Sequence, residues 1–409
     1  MPSIKAIIFA FVFNFQLGNL LEAVKIKFMN FDLSEEQQMV QNAVREFAQN
    51  EIAPVAREYD EQEKFPREQL KGLADLGLLG MIIPEEHGGA GFDSVSYALA
   101  LEEIAKADSS VAVIVSVTNS VCCYPILSFG TEEQKQKFLV PLAKGEKLGA
   151  FCLSEPQAGS DATNQKTRAV EDGDSFILNG TKSWVTNGGE ADVYLTMAVT
   201  GEKDGRKEIT AFLVEGGTEG LTVSSVEHKM GQRASQTCEM SLTDVKVPKA
   251  NVLGERGGGM KVAFSSLDNG RIGIAALSVG IAQAALDEAK NYAKDRTAFG
   301  QPIAEFQAIQ HKLADMATEV EAARLLTLRA ASMKDAGNKQ TGTYASMAKL
   351  FASETANKVC AEAVQIHGGN GFSRHYNVEK YYRDARITTI YEGTSEIQRI
   401  VISRGILKL

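Results

Sequence analysis

Phe176-Ile177-Leu178-Asn179-Gly180-Thr181-Lys182 is the stretch that divides this chain of 409 residues. Asn-Gly between two β-capable runs is the strongest short hairpin signal, because both residues tolerate the positive φ of a two-residue turn. A hairpin is therefore expected here. Short strands continue at 192–199, 209–214, 221–226 and 238–247, separated by glycine-containing turns. Residues 149–255 thus read as a small β domain, a barrel or a sandwich.

Both flanks are helical in pattern. Ser34-Glu35-Glu36-Gln37 is a capping box, and a second one occupies 131–134. Between them helices are expected over 35–58, 66–76 and 94–107, broken by Pro84 and the glycine-rich loop at 87–91. The β-branched run 111–117 reads either as a strand or as a buried helix. Residues 29–148 thus form a helical domain. On the other side Gly257-Gly258-Gly259 reads as a linker, and 256–409 as long helices. Ile309, Leu313, Met316 and Val320 recur at helical spacing, as do Met347, Leu350 and Phe351. Gly270, Gly273 and Gly280 suggest close packing or ligand approach, and Gly368 to Gly371 closes a helix. The expected fold class is α+β, mostly α: helical domain, small β domain, up-and-down four-helix bundle.

Composition limits the function classes. The net charge of −9 argues against a nucleic-acid binder and for an acidic soluble enzyme. Five scattered cysteines and five histidines show no disulfide framework and no ligand spacing, so a reducing compartment and no metal site are expected. The apolar run at 7–15 is too short to span a bilayer, so no membrane insertion is expected. Residues 1–28 hold no arginine for a mitochondrial presequence and read as a non-native or mis-assigned start before Met29.

Candidate chemistry is scattered over five stretches, and no complete G-x-G-x-x-G, Walker A or G-x-S-x-G loop accompanies them. In Ile390-Tyr391-Glu392-Gly393-Thr394-Ser395-Glu396 a carboxylate stands between apolar residues and a donor-rich turn. That suits a general base, and equally a helix N-terminus favouring acids. Phe151 to Asp161 (FCLSEPQAGSD) could present backbone donors in an interdomain cleft, or merely link. Lys182 to Gly189 (KSWVTNGG) holds the only tryptophan, which is either core or a face for a planar ring. Arg296 to Ile303 (RTAFGQPI) could meet a phosphate or adenine, or close a helix. Gln365 and Gly368-Gly369, in QIHGGNGF, could face a pyrophosphate.

These four motifs, followed by YYRDARITTIYEGTSEIQR, stand in the order and spacing of the acyl-CoA dehydrogenase family. The chain resembles that family from about residue 31 onward, its short-chain or butyryl-CoA branch most closely. The resemblance implies FAD held between β domain and bundle. Phe151, Leu153, Ser154, Ser160, Trp184, Val185 and Thr186 would serve its flavin half. Arg296, Phe299, Gln307, Gln365, Gly368 and Gly369 would meet the adenosine diphosphate half across a dimer interface, with Thr394 and Glu396 completing the site. Ser160, Asp268, Arg271, Tyr391 and Gly393 would contact the acyl-CoA substrate.

The same resemblance makes Glu392 the base that takes the α-proton while the β-hydrogen leaves as hydride, giving a trans-2-enoyl-CoA in β-oxidation or related acyl-CoA metabolism. Some branches of the family supply the base just before the arginine of Asp268-Asn269-Gly270-Arg271; here that position is Gly270, which cannot act. A homotetramer (a dimer of dimers), electron-transferring flavoprotein as acceptor, and the bacterial cytoplasm (the mitochondrial matrix in a eukaryote) are further implications. The alternatives are an acyl-CoA oxidase using dioxygen and a non-catalytic assembly protein of the same fold, which would be expected to lack the base.

Overall fold

The computed structural model describes residues 32–408. The expected start near Met29 and the atypical segment before it lie outside the described residues.

The N-terminal part is helical: α1 (Glu35–Phe47), α2 (Ala53–Gln62), α3 (Arg67–Asp75), α4 (Ser94–Ala107) and α5 (Ser109–Val117), then short helical turns to Ala143. Both capping boxes form. Ser34 N–H donates to Gln37 Oε1 at 3.0 Å while Gln37 N–H donates to Ser34 Oγ at 3.1 Å, and Thr131 and Gln134 make the same exchange. The expected helix over 35–58 is not uniform, because a π turn (Ala48–Ile52) separates α1 from α2. Pro54, at the start of α2, removes a donor that a regular helix needs.

The β-branched run resolves as helix α5. Asp108 caps it by accepting from Ser110 N–H at 2.8 Å, and every residue from Ser109 to Val117 is buried. Burial outweighs the weak helix propensity of valine. Two helical segments, Ser109–Phe129 and Gly259–Asp295, are long and apolar enough to cross a membrane. Protein covers 89% and 83% of their most apolar windows, so they are core helices.

Residues 149–253 form one eight-stranded sheet: β1 (Gly149–Cys152), β2 (Arg168–Asp172), β3 (Ser175–Thr186), β4 (Val193–Lys203), β5 (Arg206–Glu215), β6 (Leu221–Val226), β7 (Thr237–Pro248) and β8 (Val252–Leu253). Their order is β6-β7-β3-β2-β4-β5-β8, with β1 parallel to β4. The β2–β4 junction is a single pair, Arg168 opposite Val199. The two arms meet across a shared core in which Phe176 and Phe212 pack edge to face at 5.2 Å.

The hairpin expected at Asn179-Gly180 is not there. Both residues lie inside β3, at a bulge against β7. Asn179 Nδ2 donates to Asp244 Oδ1 at 2.9 Å, and Asp244 N–H returns a bond to Asn179 Oδ1 at 2.8 Å. A Cβ at Gly180 would stand 2.5 Å from Thr167 Oγ1, so the glycine serves close approach rather than a turn. The Asn/Asp-Gly hairpin is instead Asp204-Gly205, which joins β4 to β5 with φ of 52° and 70°.

The C-terminal part is a bundle of α6 (Gly259–Asp295), α7 (Gln307–Asp335) and α8 (Thr341–His367), with α9 (Val378–Arg386) packed on α6 and α8 and α10 (Ser395–Leu407) on α8. The triple glycine before it is more than a linker. A Cβ on Gly259 would lie 2.8 Å from Ile209 O, so α6 starts pressed against β5. On α8 the large residues Met347, Leu350 and Phe351 are not the buried stripe. Ala345, Ala348, Ala352 and Ala356 are, and their size lets α8 pack closely against its neighbours.

Candidate active site

The break between α9 and α10 carries the central feature. The chain leaves α9 through a single 3-10 turn (Ile387–Thr389) and then reverses at Glu392 and Gly393, with φ of 54° and 90°. Left-handed backbone is natural for glycine but costs about 1 kcal/mol or more for glutamate. Three bonds hold the turn. Gln398 Nε2 donates to Glu392 O at 3.0 Å and to Gly393 O at 2.9 Å, and Lys349 Nζ donates to Gly393 O at 2.8 Å. Thr394 then caps α10 by accepting from Ile397 N–H at 3.3 Å. Base candidate and helix start are both present, with the cap two residues after the carboxylate.

Glu392 Oε2 is buried and has no hydrogen-bond partner. Burial pushes its pKa up to about 7, and the charges of Arg271 and Lys349 limit the rise. A base with a pKa near the working pH combines availability with basicity. On the facing helix, a Cβ at Gly270 would stand 2.5 Å from Oε2. The glycine is therefore room for the carboxylate as well as a position that cannot supply one. Beside it on α6, Asn269 Nδ2 and Arg271 Nε are also buried without partners, while Arg271 Nη1 donates to Asp268 Oδ1 at 2.7 Å. Unpaired buried polar groups are rare in folded proteins. Tyr391 is anchored by Gln232 Nε2, which donates to its hydroxyl at 3.1 Å.

A second set surrounds the β1 exit. Lys182, wholly buried, donates to Glu155 Oε1 at 2.7 Å, Gln165 Oε1 at 3.2 Å and Leu153 O at 3.3 Å. Ser183 N–H donates to Ser154 O at 2.9 Å. These bonds stitch Leu153 to Glu155 onto β3. A second β3 bulge, between Lys182 and Val185, turns Trp184 outward with φ of 59° and 63% of its surface exposed. Bulges commonly re-aim side chains next to binding sites. Phe151, Leu153, Ser154 and Thr186 are half-buried, and Ser160 is exposed. Val185, between Trp184 and Thr186, is wholly buried in the β core.

A third set lies at the end of the bundle. Arg296 shares a depression with Tyr292, His367, Asn370 and Tyr376. Gln307, Gln365, Gly368 and Gly369 are exposed, and Phe299, also left-handed at φ 52°, is 97% exposed. Glu396 is exposed on the first turn of α10.

Lys349 and Gln398 carry the Glu392 turn, and the motifs assign a role to neither. Lys349 was the more visible of the two: a lone charge at the centre of Ser346, Ala348, Ala352 and Ser353, the buried face of a helix.

Comparison with known proteins places the whole described chain in one family. The N-terminal, middle and C-terminal domains of acyl-CoA dehydrogenase match residues 34–146, 150–245 and 257–407. The mouse mitochondrial short-chain specific acyl-CoA dehydrogenase is 50% identical over 382 residues, 93% of this chain and 92% of that protein. The butyryl-CoA dehydrogenase of Megasphaera elsdenii superposes with a TM-score of 0.90 at 47% identity, covering 93% of this chain and 100% of the other. A chain in the structure of the electron transferring flavoprotein of Acidaminococcus fermentans superposes with a TM-score of 0.91 at 46% identity, with the same coverage.

Proposed function

The chain belongs to the acyl-CoA dehydrogenase family and is an oxidoreductase of that kind, and on this premise we propose that it uses FAD to oxidise short, straight acyl-CoA thioesters with Glu392 as the base. The observation that carries the base assignment is the unpartnered, buried Oε2 with its pKa pushed up to about 7, above a glycine that leaves it space.

The residues present fit the cofactor. Trp184 offers an exposed indole on a strained backbone, beside a loop held rigid by Lys182. Phe151, Leu153, Ser154 and Thr186, with the adjoining Val185, would hold the flavin. Thr394 and Glu396 would hold it from the α10 side. FAD, when bound, supplies the acceptor for the β-hydride.

The chain's own part is acid–base and electrostatic. Substrate entry excludes water from Glu392, which keeps the carboxylate basic enough to take the α-proton at Oε2. The Glu392 backbone N–H is the proposed donor to the thioester carbonyl, stabilising the charge that develops there as the proton leaves. Arg271, tied to Asp268, places a positive charge on the same side. Ser160, Tyr391 and Gly393 complete the proposed thioester-binding surface.

The exposed Arg296, Phe299, Gln307, Gln365, Gly368 and Gly369 support an assembly in which a second copy of the chain completes the adenosine diphosphate end of the site. A fully exposed phenylalanine is the kind of surface an interface covers. The full assembly is proposed as a homotetramer. The proposed electron acceptor is an electron-transferring flavoprotein, supported by the likeness to a chain from such a structure.

Anaerobic titration of the flavin-containing protein with butyryl-, octanoyl- and isovaleryl-CoA tests the reading. Bleaching of the flavin is expected with butyryl-CoA at the lowest concentrations. Absence of bleaching with all three would refute it.

A further inference from the structure

Lys349 is the wholly buried cation nearest the turn that carries Glu392, and nothing in the acid–base step described above requires it. Burial pushes its pKa down to about 8, so the fold bears a cost for keeping an amine there. Its ammonium spans from α8 to the Gly393 carbonyl, at 2.8 Å, and Gln398 Nε2 reaches the same carbonyl from α10 at 2.9 Å. Two elements thus converge on one backbone oxygen next to a left-handed glutamate.

We propose that Lys349 is a positioning residue for Glu392: with Gln398 it clamps the 392–393 turn, aims the carboxylate into the space over Gly270, and supplies a positive charge that keeps the base ionised. The inference rests on the reading of Glu392 as the base. The groups facing Glu392 are Arg271 from α6, Lys349 from α8, Tyr97 from α4, Cys122 from the π turn after α5 and Tyr391 beside it in the chain. Arg271 also acts on Lys349, lowering its pKa, and Glu396 and Glu354 raise it. Of these only Lys349 both bonds the turn and opposes the carboxylate in charge. Removing it leaves Arg271 as the one cation favouring ionised Glu392, so the pKa of Glu392 rises. The unprotonated base is then populated only at higher pH.

The test compares K349M and K349Q with the parent holoenzyme, following anaerobic flavin reduction by butyryl-CoA from pH 5.5 to 9. K349Q loses the charge and keeps an amide donor, one bond shorter than the ammonium, on the side of Gly393. Its acid limb is expected to move up by about one unit with a plateau rate near that of the parent. K349M loses both, and its plateau rate is expected to fall about tenfold as well, with KM changed little. FAD content and melting temperature should stay close to the parent in both. Parent-like profiles in both variants would overturn the proposal, and so would collapse of both, which would make Lys349 a residue of the core. E392Q run alongside separates the two readings: reduction by E392Q would sink the base assignment itself, whereas its loss with unaltered Lys349 variants would sink only the clamp.

Discussion

A Cβ on Gly270 would stand 2.5 Å from Oε2 of Glu392, so the bundle helix α6 and the turn before α10 share one small volume. G270A tests that relationship. Alanine is the better helix former by about 0.5–1 kcal/mol, so stability should hold or rise slightly. The methyl group displaces the carboxylate, and a shift of about 1 Å in a reacting group costs on the order of a hundredfold in rate. Thermal melting and stopped-flow reduction would separate the two effects. An unchanged rate would mean the carboxylate does not work from this position.

The buried Lys182–Glu155 pair should matter to acid stability. The two partners pull in opposite directions: burial lowers the pKa of Lys182, while Glu155 is held down to about 2. Burial alone would raise Glu155. Lys182, the Thr167 side chain and the Lys166 N–H together overcome it. Glu155 carries the stability consequence, because it is met by several donors at once. Its folded pKa lies below its ordinary 4.5, so the contribution is full above that value and is lost as pH falls towards 2. E155Q should be less stable than the parent at pH 6 and should lose less on acidification. Urea melts across pH 6 to 3 would show parallel losses if the pair were inert.

Glu392 has the opposite sign. Its folded pKa lies above its ordinary value of 4.5, so ionising it in the fold costs stability once pH rises beyond that. E392Q should be more stable than the parent at pH 8, by about 1–3 kcal/mol, with the gain disappearing near pH 4. Equal stabilities at pH 8 would argue that the carboxylate is solvated.

Lys380 donates to Asp384 at 2.6 Å and lies 3.1 Å from Asp108, all three buried. Asp384 also accepts from Ser109 Oγ at 2.9 Å and from the N–H of Gln232 at 2.6 Å, and Gln232 holds Tyr391. This network joins α5, the 227–236 loop and α9 to the residue before the base. K380M leaves two buried carboxylates without their cation and should cost about 3–5 kcal/mol. D384N should cost less. Chemical denaturation of both measures the difference, and a neutral K380M would refute the network's role.

Much of this was legible in the sequence, for physical reasons that differ by element. Caps at Ser34 and Thr131 are local chemistry and could be read locally. The motif order gave the family and the position of Glu392. Asn179-Gly180 misled because a glycine needed for close approach to Thr167 looks the same in sequence as one needed for a turn. Asp204-Gly205, the turn between β4 and β5, carries the same dipeptide signal between charged residues, Lys203 and Arg206, rather than apolar ones. The helical spacing of Met347, Leu350 and Phe351 pointed to α8, but not to its buried stripe, where tight packing selected alanine. Lys349 and Gln398 act through backbone carbonyls 44 and 5 residues away, contacts that no local pattern encodes.

The most direct measurement is anaerobic mixing of the E392Q holoenzyme with butyryl-CoA. The account predicts a perturbed flavin spectrum on binding, no bleaching, and FAD content equal to that of the parent. Bleaching at the parent's rate would show that another group takes the α-proton.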